Sequence, residues 1–153
     1  RVRILGEGPE RARLDSLVEE NGVGDRVEFL GFYQHGEFAG HLAEATALVV
    51  PPRITKIGLR EGLPTVMAEA WLSKTPVIVS PVGGIPEVVE DGTNALVFPP
   101  GDADALAGCV ERLIEDRRLG ATLAENGCKT AGDVFSPERN VRALVDEIVA
   151  RCE

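Results

Sequence analysis

Glu61 and Glu69 stand eight residues apart around Gly62-Leu63-Pro64-Thr65, two carboxylates flanking a Gly/Pro turn that opens a helix. Carboxylates are acceptors suited to paired hydroxyls, such as those of a ribose on one side and a hexose on the other. Between them, the free N–H groups of Thr65 and Val66 and the positive end of the helix dipole make a phosphate cradle. At about 1.5 Å of rise per residue, Glu69 lies roughly 7 Å along the axis from the helix mouth, the reach from a pyrophosphate to an attached sugar. Taken alone, the same residues fit plainer roles: a glutamate at a helix start is a favourable dipole partner, and a mid-helix glutamate is a solvated charge.

The helix that positions this pair is expected to begin near Leu63 or Pro64, because proline at the first helical position loses no hydrogen bond and brings a preset φ. Val66, Met67, Ala70 and Trp71 recur at helical spacing, and Ser73-Lys74-Thr75-Pro76 ends the helix before the apolar strand Val77-Ile78-Val79.

Short apolar runs and helical patterns alternate along the chain: Val2–Leu5, a helix about Pro9 to Asn21, Val27–Leu30, a helix about Gly36 to Ala45, and Ala47–Val50. Pro76 to Ser80, a short helix about Ile85 to Glu90, and Ala95–Phe98 continue the series. The pattern predicts an α/β, Rossmann-like parallel sheet with helices on both faces. After Pro99-Pro100-Gly101-Asp102 only helices are expected, at about 103–116, 118–132 and 137–151, with Asp102 and Ser136 as N-caps and Pro137 at a first helical position. Val141, Leu144, Val145 and Ile148 form one apolar stripe on the last helix, read as core packing.

Open parallel sheets bind ligands at the carboxyl ends of their strands. Four loops follow strands here: Gly6-Glu7-Gly8-Pro9, Gly31-Phe32-Tyr33, the long segment 51–63, and Pro81-Val82-Gly83-Gly84. Gly6 and Gly8 suggest a nicotinamide fingerprint, but its third glycine falls at Arg11, and Glu28 opens a strand where the ribose-binding acid should close one. A tight turn that lets backbone approach a ligand remains.

With 153 residues, 44% of them apolar, the chain suffices for a single domain spanning 1–153. A net charge of −9 with no cluster of Lys and Arg argues against a nucleic-acid surface. Cys109, Cys128 and Cys152 lack any C-x-x-C spacing, and His35 and His41 suit a loop and a helix face better than a metal site. No disulfide framework, metal or cofactor is expected, and the setting is read as reducing and cytoplasmic. No apolar run reaches the roughly 20 residues of a membrane span.

Five segments carry a resemblance: GEGPE from Gly6, VEFLGF from Val27, EGLPTVMAEA from Glu61, PVIVSPVGGIPE from Pro76 and DGTNALVFPPGD from Asp91. In this order they resemble the C-terminal, donor-binding half of retaining glycosyltransferases of the GT-B fold, the group 1 family, from Val2 to about Ile148. The resemblance implies a nucleotide-diphosphate sugar donor and transfer with retention of configuration, in glycan or glycolipid synthesis. Glu61 would hold donor hexose hydroxyls as the catalytic-site residue, and Glu69 the ribose. Gly62, Leu63, Pro64 and Thr65 would form the turn, with the Thr65 and Val66 amides on the diphosphate, while Gly6, Gly8, Phe32 and Tyr33 would line the nucleoside. No metal would be required, since helix-mouth amides, with Arg53, Lys56 and Arg60 nearby, can stabilise the charge that develops on the diphosphate.

Relative to the family pattern, a first strand with its Arg and Lys and the whole N-terminal acceptor-binding half are missing. The expectation is therefore no turnover by this chain alone, and self-association through exposed sheet edges. Two other functions share the pattern: a non-catalytic nucleotide-binding or regulatory module, and another GT-B reaction such as sugar-nucleotide epimerisation or phosphorolysis.

Overall fold

The computed structural model describes residues 1–33, 36–54 and 62–152, the last by its backbone. Glu61, Lys56, Arg60 and His35 lie outside the described residues. The chain divides into two compact units, Arg1–Gly40 and His41–Glu153.

In the first unit, β1 (Val2–Leu5), α1 (Arg11–Glu20) and β2 (Val27–Gly31) form one βαβ element. The strands pair in parallel from Val2 opposite Val27 to Ile4 opposite Phe29, and the register then shifts to set Leu5 against Gly31. Beyond the ladder, the Gly6 N–H donates to the Gly31 carbonyl at 2.8 Å, so the first loop leaves the strand already tied to the second. Gly6 has φ +106°, a conformation open to glycine and strained for any other residue. The helix α2 (Glu37–Glu44) runs across the boundary between the units.

The second unit holds β3 (Leu48–Val50), β4 (Val77–Val79) and β5 (Leu96–Val97), all parallel, in the order β3-β4-β5. Every residue of β4 is buried, as a central parallel strand covered on both faces requires. Ile78 and Leu96 meet Phe98, Cys109, Leu113 and Leu123 in the core. Burial pushes the Cys109 thiol up, Arg112 opposing and Asp91 adding to the effect, which marks it as an apolar filler and not a nucleophile. The helices are α3 (Thr65–Leu72), α4 (Ala103–Glu115), α5 (Arg117–Val134) and α6 (Pro137–Cys152). Asp102 caps α4 by accepting from the Ala105 N–H at 2.9 Å, and Ser136 accepts from the Arg139 N–H at 3.3 Å, so both expected caps are made.

The alternation of strands and helices matches the sequence reading in order and direction, and the parallel pairing falls into two hydrogen-bonded sheets. Three details differ. The expected helix 85–90 is one 3-10 turn, Ile85–Glu87, because Pro86 and the Asp91-Gly92 turn leave no room to propagate it. The helix expected at 118–132 runs from Arg117 to Val134, since Asp116 caps it by accepting from the Arg118 and Leu119 N–H groups. The stripe on α6 does not pack: Val141, Leu144, Val145, Ile148 and Val149 are between 51% and 61% exposed. A helical period identifies an apolar face but not its partner.

The helix α3 has eight residues, too few to persist alone, so burial of Met67, Ala68, Ala70 and Trp71 stabilises it. Its C-terminus closes through Lys74 N–H to Trp71 O at 3.0 Å and Thr75 N–H to Ala70 O at 2.8 Å. That closure sets Lys74 at φ 56°, where a side chain crowds the following carbonyl and glycine is the usual occupant. Lys74→Gly is therefore expected to raise stability by about 0.5–1 kcal/mol in urea unfolding. An unchanged or lower midpoint would show that the lysine side chain contributes more than its backbone costs.

Candidate functional site

The turn into α3 lies at the carboxyl edge of the sheet β3-β4-β5, and its first helical residue is Thr65. Pro64 occupies the N-cap at φ −65° and ψ 121°, one residue earlier than the first-helical role expected of it. The shift keeps the preset φ but leaves Pro64 extended, so its carbonyl turns back to accept from the Met67 N–H at 3.1 Å. Thr65 and Val66 N–H groups are left without an acceptor among the described residues. They are the two amides the sequence singled out, at the positive end of a helix dipole. Leu63, Pro64 and Val66 are half-buried, while Gly62 and Thr65 are exposed.

Glu69 follows one turn further along α3 and is half-buried. No hydrogen bond or ion pair engages its carboxylate among the described residues. A carboxylate at partial burial without a partner has its acceptor capacity open to a ligand.

Two hydrogen bonds, which sequence reasoning did not identify, bring the neighbouring loops to this turn. Gly84 N–H donates to Gly62 O at 3.1 Å, fastening the loop after β4 onto the approach to α3. Ser80, fully buried at the end of β4, donates its Oγ to Pro52 O and so holds the loop after β3. The loops after β3 and β4 and the mouth of α3 are thus hydrogen-bonded neighbours along one sheet edge. A Gly-Gly pair and a serine just past a buried strand were the only sequence signals for these ties.

The face of α3 turned inward carries Trp71, completely buried, whose indole Nε1–H donates to Asn94 O at 3.1 Å. Gly127 of α5 lies against the ring: a Cβ there would sit 2.1 Å from Trp71 Cδ1 and 2.4 Å from Nε1. The site helix is seated in a notch that a single missing methyl creates.

In the first unit, Ile4, Leu5, Gly6, Glu7, Gly8 and neighbours line a cavity of about 240 Å³ floored by Phe29 and Leu14. The Arg11 guanidinium stands 4.2 Å above the Phe29 ring and also pairs with Asp15 at 3.0 Å. Gly8 O accepts from the Arg11 N–H at 3.1 Å, which turns the loop into α1. Gly6 and Gly8 therefore share one concave surface. Phe32 is 81% exposed, whereas the Tyr33 ring stacks on Phe38 at 5.1 Å. Of the expected site residues, the structure gathers Gly62, Leu63, Pro64, Thr65, Val66 and Glu69 at one mouth and Gly6 and Gly8 at one cavity; Glu61 lies outside the described residues.

Residues 1–130 match the family described as glycosyl transferases group 1. The chain is 33% identical over 148 residues to the lipopolysaccharide core biosynthesis glycosyltransferase LpsE of Rhizobium meliloti, covering 97% of this chain and 41% of that protein. The structure of sucrose-phosphate synthase from Thermosynechococcus elongatus aligns with a TM-score of 0.81 at 32% identity, over 97% of this chain and 38% of that one. Anabaena HepE, solved in complex with UDP-glucose, aligns with a TM-score of 0.81 at 25% identity, over 97% and 40%. The chain spans about a third of the length of the curated relatives it matches.

Proposed function

The chain belongs to the group 1 glycosyltransferases, and from that premise we propose that it is the donor-binding part of an enzyme that moves a sugar from a nucleotide diphosphate to an acceptor hydroxyl with retention of configuration. The observation that carries this reading is the mouth of α3: two amides without acceptors among the described residues, followed one turn later by a carboxylate without a partner among them. The Thr65 and Val66 N–H groups bind the diphosphate and stabilise the charge it gains as the glycosidic bond breaks. Glu69 accepts from the ribose hydroxyls, and Glu61, eight residues earlier in the chain, holds the donor hexose. Gly62, Leu63 and Pro64 shape the turn.

The HepE complex with UDP-glucose supports a nucleotide-sugar donor, and LpsE, named for lipopolysaccharide core synthesis, supports a glycan or glycolipid product. No metal enters the proposal, since the amides supply the electrostatic stabilisation. The chain spans about a third of the length of its first curated relatives, so the proposal concerns the donor-binding part of the reaction alone. No helix among the described residues is long and apolar enough to cross a membrane.

Calorimetric titration with UDP, GDP and ADP tests the reading. One of the three is expected to bind with a dissociation constant in the micromolar to millimolar range, about −8 to −4 kcal/mol, with the others weaker. Equal or absent binding of all three would overturn it.

A further inference from the structure

We infer that Asn94, acting through the Trp71 indole, is a positioning residue for the donor turn, an inference that rests on the proposed role of Glu69. The Asn94 side chain is buried and fully engaged: Oδ1 accepts from the Glu90 N–H at 2.9 Å, and Nδ2 donates to Val88 O at 2.9 Å and to Thr130 Oγ1 at 3.0 Å. Thr130 Oγ1 in turn donates to Asn126 O at 3.1 Å, and Asn126 Nδ2 returns to Thr93 O at 3.0 Å. The loop between the 3-10 turn and β5 is therefore bound to α5 at two points, and its Asn94 carbonyl is the acceptor for the Trp71 indole at 3.1 Å.

That bond lies on the face of α3 opposite the ligand. Glu69 and Trp71 are two residues apart, and at about 100° per residue they project on nearly opposite sides of the helix. Fixing the indole therefore fixes the helix's rotation, and with it the direction of the Glu69 carboxylate and the two mouth amides. A rotation of about 10° moves a carboxylate held roughly 6 Å from the axis by about 1 Å, a displacement large enough to weaken a positioned contact severely. The polar network thus acts on donor affinity without touching the donor.

The test compares Trp71→Phe, which removes the indole N–H together with the fused five-membered ring, and Thr130→Val, which removes one of the two ties between the loop and α5 at nearly constant volume, with Leu113→Val in the core. Affinity for the nucleotide that wild type binds most tightly among UDP, GDP and ADP is measured well below the unfolding temperature of every variant. Trp71→Phe and Thr130→Val are expected to weaken binding about tenfold, Leu113→Val by less than about twofold, and Thr130→Ser to restore wild-type affinity. Wild-type affinity in Trp71→Phe and Thr130→Val, with Glu69→Ala still impaired, overturns the positioning role alone. Wild-type affinity in Glu69→Ala, or no binding by wild type, overturns the functional reading and this inference with it.

Discussion

Replacing Gly127 with alanine is expected to lower stability by about 3 kcal/mol, while the same replacement at Gly132, on the same helix, raises it by about 0.5–1 kcal/mol. Both residues lie inside α5, and a Gly-to-Ala change in a helix interior ordinarily stabilises by close to 1 kcal/mol. At Gly132 a Cβ meets nothing within 4 Å, so that gain stands. At Gly127 it would meet the Trp71 ring at 2.1 Å, and the ring is completely buried with its N–H engaged. Relief requires either expelling Trp71 from α5 or breaking the bond to Asn94, and a buried indole N–H without an acceptor costs about 1–3 kcal/mol on top of the strain. Urea unfolding of the two variants measures the difference. A Gly127→Ala protein as stable as Gly132→Ala would mean that the notch does not seat the helix.

Glu69→Ala is expected to weaken nucleotide binding by about 10- to 100-fold with little change in stability. A carboxylate accepting from two ribose hydroxyls makes charge-assisted bonds worth about 1.5–3 kcal/mol, which corresponds to that range. Alanine is the better helix former and Glu69 has no partner among the described residues, so the fold loses nothing by the change. Glu69→Gln keeps one acceptor and the side-chain volume, and is expected to fall between the two. Calorimetry with the best-bound nucleotide reads the effect. If the alanine variant binds UDP, GDP and ADP as wild type does, the ribose assignment is wrong.

The elements of this fold were legible because their cause is local. Apolar runs of three to five residues bounded by Gly and Pro specify strands, and the caps at Asp102 and Ser136 follow from side chains that reach their own helix. Features set by distant packing were not legible. Gly127 looks like a weak point in a helix until Trp71, 56 positions earlier in the chain, is laid against it. Asn94 looks like an ordinary turn residue until its amide is found joining Val88 to Thr130. The α6 stripe was misjudged for the converse reason: periodicity reports that a face is apolar and says nothing of what covers it. At the candidate site, the Gly/Pro turn and Glu69 were readable as local chemistry, whereas Ser80 and Gly84 act through bonds to backbone carbonyls that leave no mark on residue type.

A crystal structure with the tightest-bound of UDP, GDP and ADP tests the central claim most directly. The account predicts pyrophosphate oxygens within about 3 Å of the Thr65 and Val66 nitrogens and both ribose hydroxyls on the Glu69 carboxylate. Nucleotide bound elsewhere, or bound at this mouth with Glu69 turned away from the ribose, would contradict it.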